Sequence, residues 1–310
     1  MEILHNISPQ QISWVKSNKE AFEASRTLIE NAYYPETIDE LTELVSLFYS
    51  QGSSFTLIGY SSNTLFLPSF AEKNLICTKR LDHYHISDFY IECECGVNVS
   101  KLAKDMVQKG YKGFEGLTDL PGTVAAAVYG NCGCRGCSIN ELVSSFDILT
   151  PEGKIETLTT EHLKLRYRSS ALKRNELKGV IIKIRLNKKV GNADELMQIA
   201  EKNHRHRKKM QPSAANNLGT TFNGGSKPTI KGFMFKKMER IIGFIFWTKD
   251  SRFTYPKLLK LIGKGKFEPY IYYWNRYMFQ DANSHLLFPE YIDFVKSLYK
   301  DARLEIEIRK

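Results

Sequence analysis

Two runs of small residues give the first hint of chemistry. GYSSN (residues 59–63) and LPGTVAAAVYGNCGCRG (residues 120–136) place glycines, alanines, hydroxyls and an amide where a backbone can approach a ligand closely. Several N–H groups at short range, flanked by Ser, Thr or Asn, form a concave nest for anions, diphosphates above all. Glycine gives access to positive φ and to close approach, and alanines at 125–127 leave a surface flat enough for a ligand ring. Each run alone also reads as an ordinary tight turn, the second leading into a helix with Pro121 at its first position. No G-x-G-x-x-G fingerprint is present, so a Rossmann dinucleotide site is excluded. The second run carries Cys132, Cys134 and Cys137 as C-x-C-x-x-C, with Cys93 and Cys95 elsewhere. Such thiols can ligate a metal or an iron–sulfur cluster, or act as a redox pair beside a ligand. They can also fill small buried positions; this last reading is adopted, with no metal expected.

The elements that must hold these turns follow from periodicity. ETIDELTELVSLFYSQG (36–52) is an amphipathic helix with Gly52 at its end. FTLI (55–58), LICTK (75–79) and FYIECECG (89–96) read as strands. SKLAKDMVQKGYKG (100–113) is a helix closed by Gly110 or Gly113. LVSSFDILTPEGKIETLT (142–159) is a hairpin around Pro-Glu-Gly, GVIIKIRLNKKV (179–190) a strand, and ADELMQIAEKNHRHRKKM (193–210) a helix. From Gln211 the texture changes: QPSAANNLGTTFNGGSKP is a loop, and PTIKGFMFKKMERIIGFIFWTK has no clean period. FPEYIDFVKSLYKDARLEIEIRK reads as a helix followed by a short strand.

The chain has 310 residues, 42% hydrophobic and 25% charged, enough for two ordinary domains and a smaller third. No apolar run reaches the roughly 20 residues needed to cross a bilayer, and the opening residues lack a signal-peptide pattern. A cytoplasmic protein without membrane insertion is expected, in which six cysteines do not form a disulfide framework. The formal net charge of +10 admits nucleic acid, an anionic membrane surface or a phosphorylated ligand. The basic run KNHRHRKKM (202–210) has no interleaved aromatics, so it reads as a solvated helix face and no nucleic-acid partner is expected.

Taken together the motifs resemble those of the UDP-N-acetylenolpyruvoylglucosamine reductase (MurB) family. LIGYSSNTL (57–65) resembles that family's flavin pyrophosphate loop, usually G-x-G-S-N. GLTDLPGTVAAAVYGNCGCRG (116–136) resembles its second flavin stretch, and YRSSALK (167–173) its Y-R-x-S-x-F-K motif. Gln211-Pro212 with GTTF (219–222) resembles Q-P…G-S-x-F-K, and LEIEIR (304–309) the terminal L-x-x-E-V-R. The five fall in the family's order.

The resemblance implies an α+β fold: a two-part FAD-binding domain of the vanillyl-alcohol-oxidase (PCMH) type, followed by a smaller α+β substrate domain. The expected parts are residues 1–80 and 81–205 for the flavin and 206–310 for the substrate, with the terminal strand returning to the active site. It implies noncovalent FAD, NADPH as reductant, a small nucleotide-sugar substrate, and a monomer or small homo-oligomer. FAD would be held by Gly59, Tyr60, Ser61, Ser62, Asn63 and Thr64 of the first turn. Pro121, Gly122, Thr123, Ala126, Asn131, Gly133 and Gly136 of the second, with Ile181, would complete its site. Catalysis would fall to Arg168 as the cation near the substrate carboxylate, Thr220 as the proton-donating hydroxyl, and Glu307 as the terminal carboxyl.

Departures fall mainly on the substrate half, although alanines at 125 and 126 leave less room beside the flavin. Thr220 stands for a serine, Ala125-Ala126 for Gly-Gly, and FNGG (222–225) for FKNP. WNRYMFQDANSH (274–285) aligns only weakly with the family's third domain. Three readings therefore stay open: the cell-wall type of reductase, the same scaffold acting on another nucleotide sugar, and a flavin- or nucleotide-sugar-binding protein without turnover.

Overall fold

The computed structural model describes residues 31–67, 74–211, 218–279 and 282–309. In chain order the elements are β1 (Asn31–Tyr33), α1 (Ile38–Ser50), β2 (Thr56–Ile58), β3 (Thr64–Phe66), β4 (Asn74–Cys77), β5 (Tyr84–Ile86), β6 (Tyr90–Glu94), α2 (Val99–Gln108) and α3 (Val124–Tyr129). There follow β7 (Gly133–Cys134), β8 (Cys137–Ser138), α4 (Ile139–Leu142), β9 (Val143–Leu149), β10 (Ile155–Leu158), β11 (Val180–Asn187) and α5 (Ala193–Met210). The remainder is β12 (Phe222–Asn223), α6 (Ile230–Ile245), α7 (Ser251–Leu261), β13 (Ile271–Tyr273), β14 (Arg276–Tyr277), α8 (Ala282–Leu298), β15 (Arg303–Leu304) and β16 (Glu307–Arg309). The fold is α+β, and it divides into two compact units: residues 31–60 with 74–211, and residues 61–67 with 218–309.

The first unit contains two sheets. β1, β4 and β2 form a parallel three-stranded sheet. Its helix α1 starts at a capping box, Thr37 Oγ1 accepting from Glu40 N and Glu40 returning to the Thr37 N–H. Leu41, Leu44, Val45 and Phe48, at helical spacing, bury against Ile76 and Leu149. Gly52 adopts φ +62 just past the helix end. The second sheet is antiparallel, in the order β10-β9-β11-β6-β5. Its β9–β10 hairpin turns at Pro151-Glu152-Gly153, as the sequence predicts. Apolar residues of β11 and β6 alternate into a core with α2 and α3. On the polar side Arg185 of β11 grips Asp147 of β9 through two bonds of 2.8 and 2.9 Å, and Glu92 of β6 at 2.9 Å. This cross-strand network locks three neighbouring strands in register. α5 is the basic helix; His204 meets Asp119 at 3.1 Å, while most of its cationic side chains are exposed.

The second unit has little sheet and an aromatic core. Phe222, Tyr277, Phe288 and Tyr291 are essentially inaccessible, and Tyr277 packs at 4.9 Å from Tyr291 and 5.0 Å from Phe288. Here the sequence reading needs correction. The stretch from Pro228, which shows no clean period, forms a 16-residue helix, α6, capped by Thr229 Oγ1 accepting from Gly232 N at 3.0 Å. The period is obscured because two faces are apolar: Gly232, Phe235 and Ile242 point inward, whereas Ile230, Phe233 and Phe244 are exposed. The C-terminal region is likewise not one strand, because residues 305–306 interrupt β15 and β16. Among the described residues no helix is long and apolar enough to cross a membrane.

Candidate active site

In the first unit the two small-residue turns meet. Gly59 lies so close to Thr123 that an added Cβ would stand 2.5 Å from the Thr123 methyl. Thr78 Oγ1 donates to the Ile58 carbonyl at 3.2 Å and Cys77 Sγ to that of Gly59 at 3.6 Å, fixing the turn from below. Thr123 is buried and caps α3, its hydroxyl accepting from Ala126 N at 3.2 Å. The helix therefore begins at Val124, and Pro121 precedes it rather than occupying its first position. Gly122 adopts φ +115, a conformation that glycine alone reaches without strain. Ala126 is exposed on the open face of α3 while Ala127 is buried.

Beyond α3 the chain makes a hairpin, β7–β8, whose two-residue turn is Arg135-Gly136 at φ +54 and +79. Gly116 packs under it: an added Cβ there would collide with the Cys134 carbonyl. Asn131, at φ +47, joins the hairpin to the turn around Arg168. Its Nδ2 donates to the Arg166 carbonyl at 2.8 Å, and its Oδ1 accepts from Asn140 Nδ2 at 3.1 Å. Arg168 itself sits at φ +51 and donates to the carbonyls of Gly133 (2.8 Å) and Asn131 (3.4 Å). Ser170, fully buried, donates to the Tyr129 carbonyl at 2.7 Å. The second flavin-like stretch and the Y-R motif thus line one cleft of about 500 Å³, with Asn131, Gly133, Gly136, Asn140, Tyr167 and Arg168 on its walls. Asn140 is buried there with its Oδ1 unpaired, an acceptor that a ligand donor would satisfy. Sequence reasoning missed it; its only signal is a lone amide three residues after the last of the three cysteines.

Cys132, Cys134 and Cys137 are half-buried thiols outside any disulfide, and Cys132 and Cys137 pack on the core. No cluster suited to a metal occurs among the described residues. Ile181 lies in β11 with its side chain in the core cluster.

The second unit gathers the remaining motifs. β16 runs parallel to β3, pairing Glu307 with Thr64 and Arg309 with Phe66. Glu307 N donates to the Asn63 carbonyl at 2.8 Å, and Asn63 Nδ2 donates to the Glu305 carbonyl at 3.1 Å. The Glu307 carboxylate accepts from Arg309 at 3.2 Å. β12 pairs with β15, and Glu305 N donates to the Thr221 carbonyl at 3.0 Å. Residues 61–66, 219–223 and 303–309, remote in sequence, therefore lie side by side. Ser61 is buried at φ +51 and Ser62 is half-buried. Of the two adjacent threonines, Thr221 is buried and accepts from Tyr277 N at 3.1 Å, which leaves Thr220 as the half-buried hydroxyl. Beside it lies a residue the sequence reading passed over: Arg276, only 6% exposed, donating through Nε to Tyr273 Oη at 3.0 Å. Its Nη1 is 3.8 Å from where a Gly219 Cβ would sit. A single arginine inside the aromatic run IYYWNRYMF is the signal that could have found it. The Gln211-Pro212 motif is described only as far as Gln211; Pro212 lies outside the described residues.

Residues 30–159 match the FAD binding domain family. Curated relatives are similar over part of the chain. The UDP-N-acetylenolpyruvoylglucosamine reductase of Caldicellulosiruptor saccharolyticus is 28% identical over 191 residues, 61% of each chain. That of Anoxybacillus flavithermus is 33% identical over 57% of this chain and 59% of its own, and that of Bacillus subtilis 29% identical over 61% and 62%. The matched region thus spans about three fifths of those relatives' length. The crystal structure of UDP-N-acetylenolpyruvylglucosamine reductase (MurB) from Thermus caldophilus superposes with a TM-score of 0.64 at 17% identity, covering 96% of this chain and 97% of that one, a likeness of fold. Residues 30–159 thus form an FAD binding domain, and the chain is similar to UDP-N-acetylenolpyruvoylglucosamine reductases over about three fifths of its length and in fold.

Proposed function

We propose that the protein is an FAD-dependent oxidoreductase that reduces the enolpyruvyl ether of a UDP-sugar at the expense of NADPH. The observation that carries this reading is the cleft in which Arg168 is fastened to the backbone of the second flavin-like stretch. The residues fit FAD. Gly59 admits no Cβ beside Thr123, Gly122 and Asn131 hold positive φ, and the buried Asn140 Oδ1 awaits a donor. Backbone N–H groups of Gly59, Tyr60, Gly122 and Thr123 would hold the diphosphate, and Ala126 would leave room for a ring. Residues 1–80 and 81–205 would serve the flavin, and 206–310 the substrate.

The chemistry that FAD supplies when bound is two-electron transfer between a nicotinamide and the enolpyruvyl double bond. The chain's own groups do the rest. As the double bond is reduced, negative charge grows on the adjoining substrate carboxylate, and the Arg168 guanidinium stabilises it. The Thr220 hydroxyl donates a proton to the carbon that ends as the lactyl centre. To the Glu307 carboxyl of the terminal motif we assign a second exchangeable proton. The β-methyl of Thr220 restricts χ1 and so narrows the directions from which its proton is given.

A second reading, the same reduction on a different nucleotide sugar, is favoured by residues 224–227. Directly after Asn223 and Gly224, which stand where the family has lysine and asparagine, Asp301 accepts from Gly225 N, Ser226 N and Lys227 N at 3.0–3.1 Å. A Cβ on Gly225 would collide with the Trp274 ring. This turn is committed to its own packing, not to a nucleotide.

The test is the visible spectrum of the purified protein. Flavin bands near about 370 and 450 nm, bleaching with NADPH and recovery with UDP-N-acetylglucosamine enolpyruvate support the first reading. Bleaching without recovery moves the assignment to another nucleotide sugar, and a protein that cannot be reconstituted with FAD overturns both. Arg168→Ala and Glu307→Gln should each slow turnover by roughly 100-fold or more while FAD stays bound.

A further inference from the structure

The outward face of α6 is apolar where a surface helix is ordinarily polar. Ile230, Phe233, Met234, Ile241, Phe244 and Ile245 fall at helical spacing along it, and all are exposed. The turn into α7 extends the patch: Trp247 is 91% exposed and stacks on Phe244 at 6.2 Å, while Phe246 meets Phe253 at 5.4 Å. A run of exposed aromatic and aliphatic side chains this long marks an interaction surface.

Its charge says with what. Residues 227–266 hold eleven Lys and Arg against two Asp and Glu, so nine of the chain's ten net positive charges lie within 40 residues. Lys231, Lys237, Arg240, Lys249 and Lys257 are exposed around the apolar stripe. Lys257 sits over both Phe246 (4.8 Å) and Phe253 (4.7 Å), so cation and ring present together. The basic α5 helix has charge without this apolar face. A second copy of the chain is a poor occupant, because a self-complementary interface would set like charge against like. Nucleic acid suits the cations and rings, but leaves Ile230, Met234, Ile241 and Ile245 without apolar cover. Apolar side chains flanked by Lys and Arg suit the boundary between acidic headgroups and acyl chains.

We propose that the exposed face of α6 and the α6–α7 turn dock peripherally on an anionic lipid surface, with Phe244 and Trp247 entering the headgroup boundary and Lys237 and Arg240 meeting acidic headgroups. The contact is interfacial: α6 lies on the membrane and does not span it.

Flotation of the full-length protein with phosphatidylglycerol–phosphatidylcholine vesicles tests this, with pure phosphatidylcholine vesicles as the comparison. The expected result is association with the anionic vesicles alone, weakened as salt rises from about 0.1 M to about 0.5 M. F244S/W247S and K237E/R240E should each weaken it by about tenfold or more. All four side chains are exposed, so circular dichroism should show the fold intact. A quenchable blue shift of tryptophan emission on the anionic vesicles should be lost in W247F. Failure of the intact protein to float with anionic vesicles overturns the proposal, as does undiminished flotation of F244S/W247S. A dimer that F244S/W247S dissociates, without vesicle binding, assigns the face to a second copy instead. Single-stranded DNA binding that K237E/R240E abolishes, without vesicle binding, assigns it to nucleic acid.

Discussion

The candidate site of the first unit is made largely of backbone, and that of the second of side chains set on an aromatic core. In the first unit Gly116 lets main chain approach main chain, Gly59 lets its turn close on the Thr123 side chain, and Arg168 is held by two carbonyls. In the second unit, Thr220 lies in the loop just before the two-residue β12 and Glu307 opens the three-residue β16, and both positions depend on Phe222, Tyr277 and Tyr291 filling the interior. Backbone sites need particular residue types at fixed spacing and so leave motifs. A packed aromatic core accepts many sequences of similar volume and leaves few. That difference explains why the first unit keeps the motifs of an FAD binding domain while the second keeps fewer.

Paired substitutions at buried glycines should separate the units most strongly. In Gly116→Ala the new methyl meets the Cys134 carbonyl, and in Gly232→Ala it meets that of Leu298. Each should cost about 3 kcal/mol. Hydrogen exchange should accelerate around residues 116–142 in the first and around 230–245 and 291–298 in the second. Only Gly116→Ala should lower flavin content; equal loss of flavin in both would break the comparison.

The Arg185 network gives the next largest effect. Burial raises the Asp147 pKa, but bonds from Arg185 and Thr157 outweigh it, so the carboxyl is held below its ordinary value of 3.8. A depressed carboxylate contributes stability above its unfolded pKa and loses it as pH falls through the folded one. Asp147→Asn should cost roughly 2 kcal/mol at neutral pH. Denaturation titrations should show that gap closing as pH drops below 3.8.

Cap removal sharpens the contrast at smaller scale. Thr123→Ala and Thr229→Ala should each cost about 1 kcal/mol by chemical denaturation. Because the Thr123 methyl also packs on Gly59, only Thr123→Ala should weaken FAD in an equilibrium titration.

Thiol reactivity is the mildest test. Burial pushes Cys77 up to about 11 and Cys93 and Cys95 up to about 12. Native-state alkylation followed by mass spectrometry should modify Cys134, on the cleft wall, more than about tenfold faster than these three. Comparable rates would mean that the β4 and β6 core opens as readily as the cleft.

The sequence by itself determined the long helices and main strands of the first unit, though not β1, β5 or the β7–β8 hairpin, together with the small-residue turns and the motifs at Arg168, Thr220 and Glu307. Those features are local: caps, glycines and alternation act within a few residues. It did not reveal α6, because a helix apolar on two faces has no single period, and it did not single out Asn140 or Arg276. Only the tertiary structure joined Asn63 to Glu307 and Asn131 to Arg168, and only it showed which apolar face of α6 is left outside. Those facts depend on strand pairing and burial between residues far apart in the chain. Period and composition describe each segment alone and carry no information about which distant segment covers it.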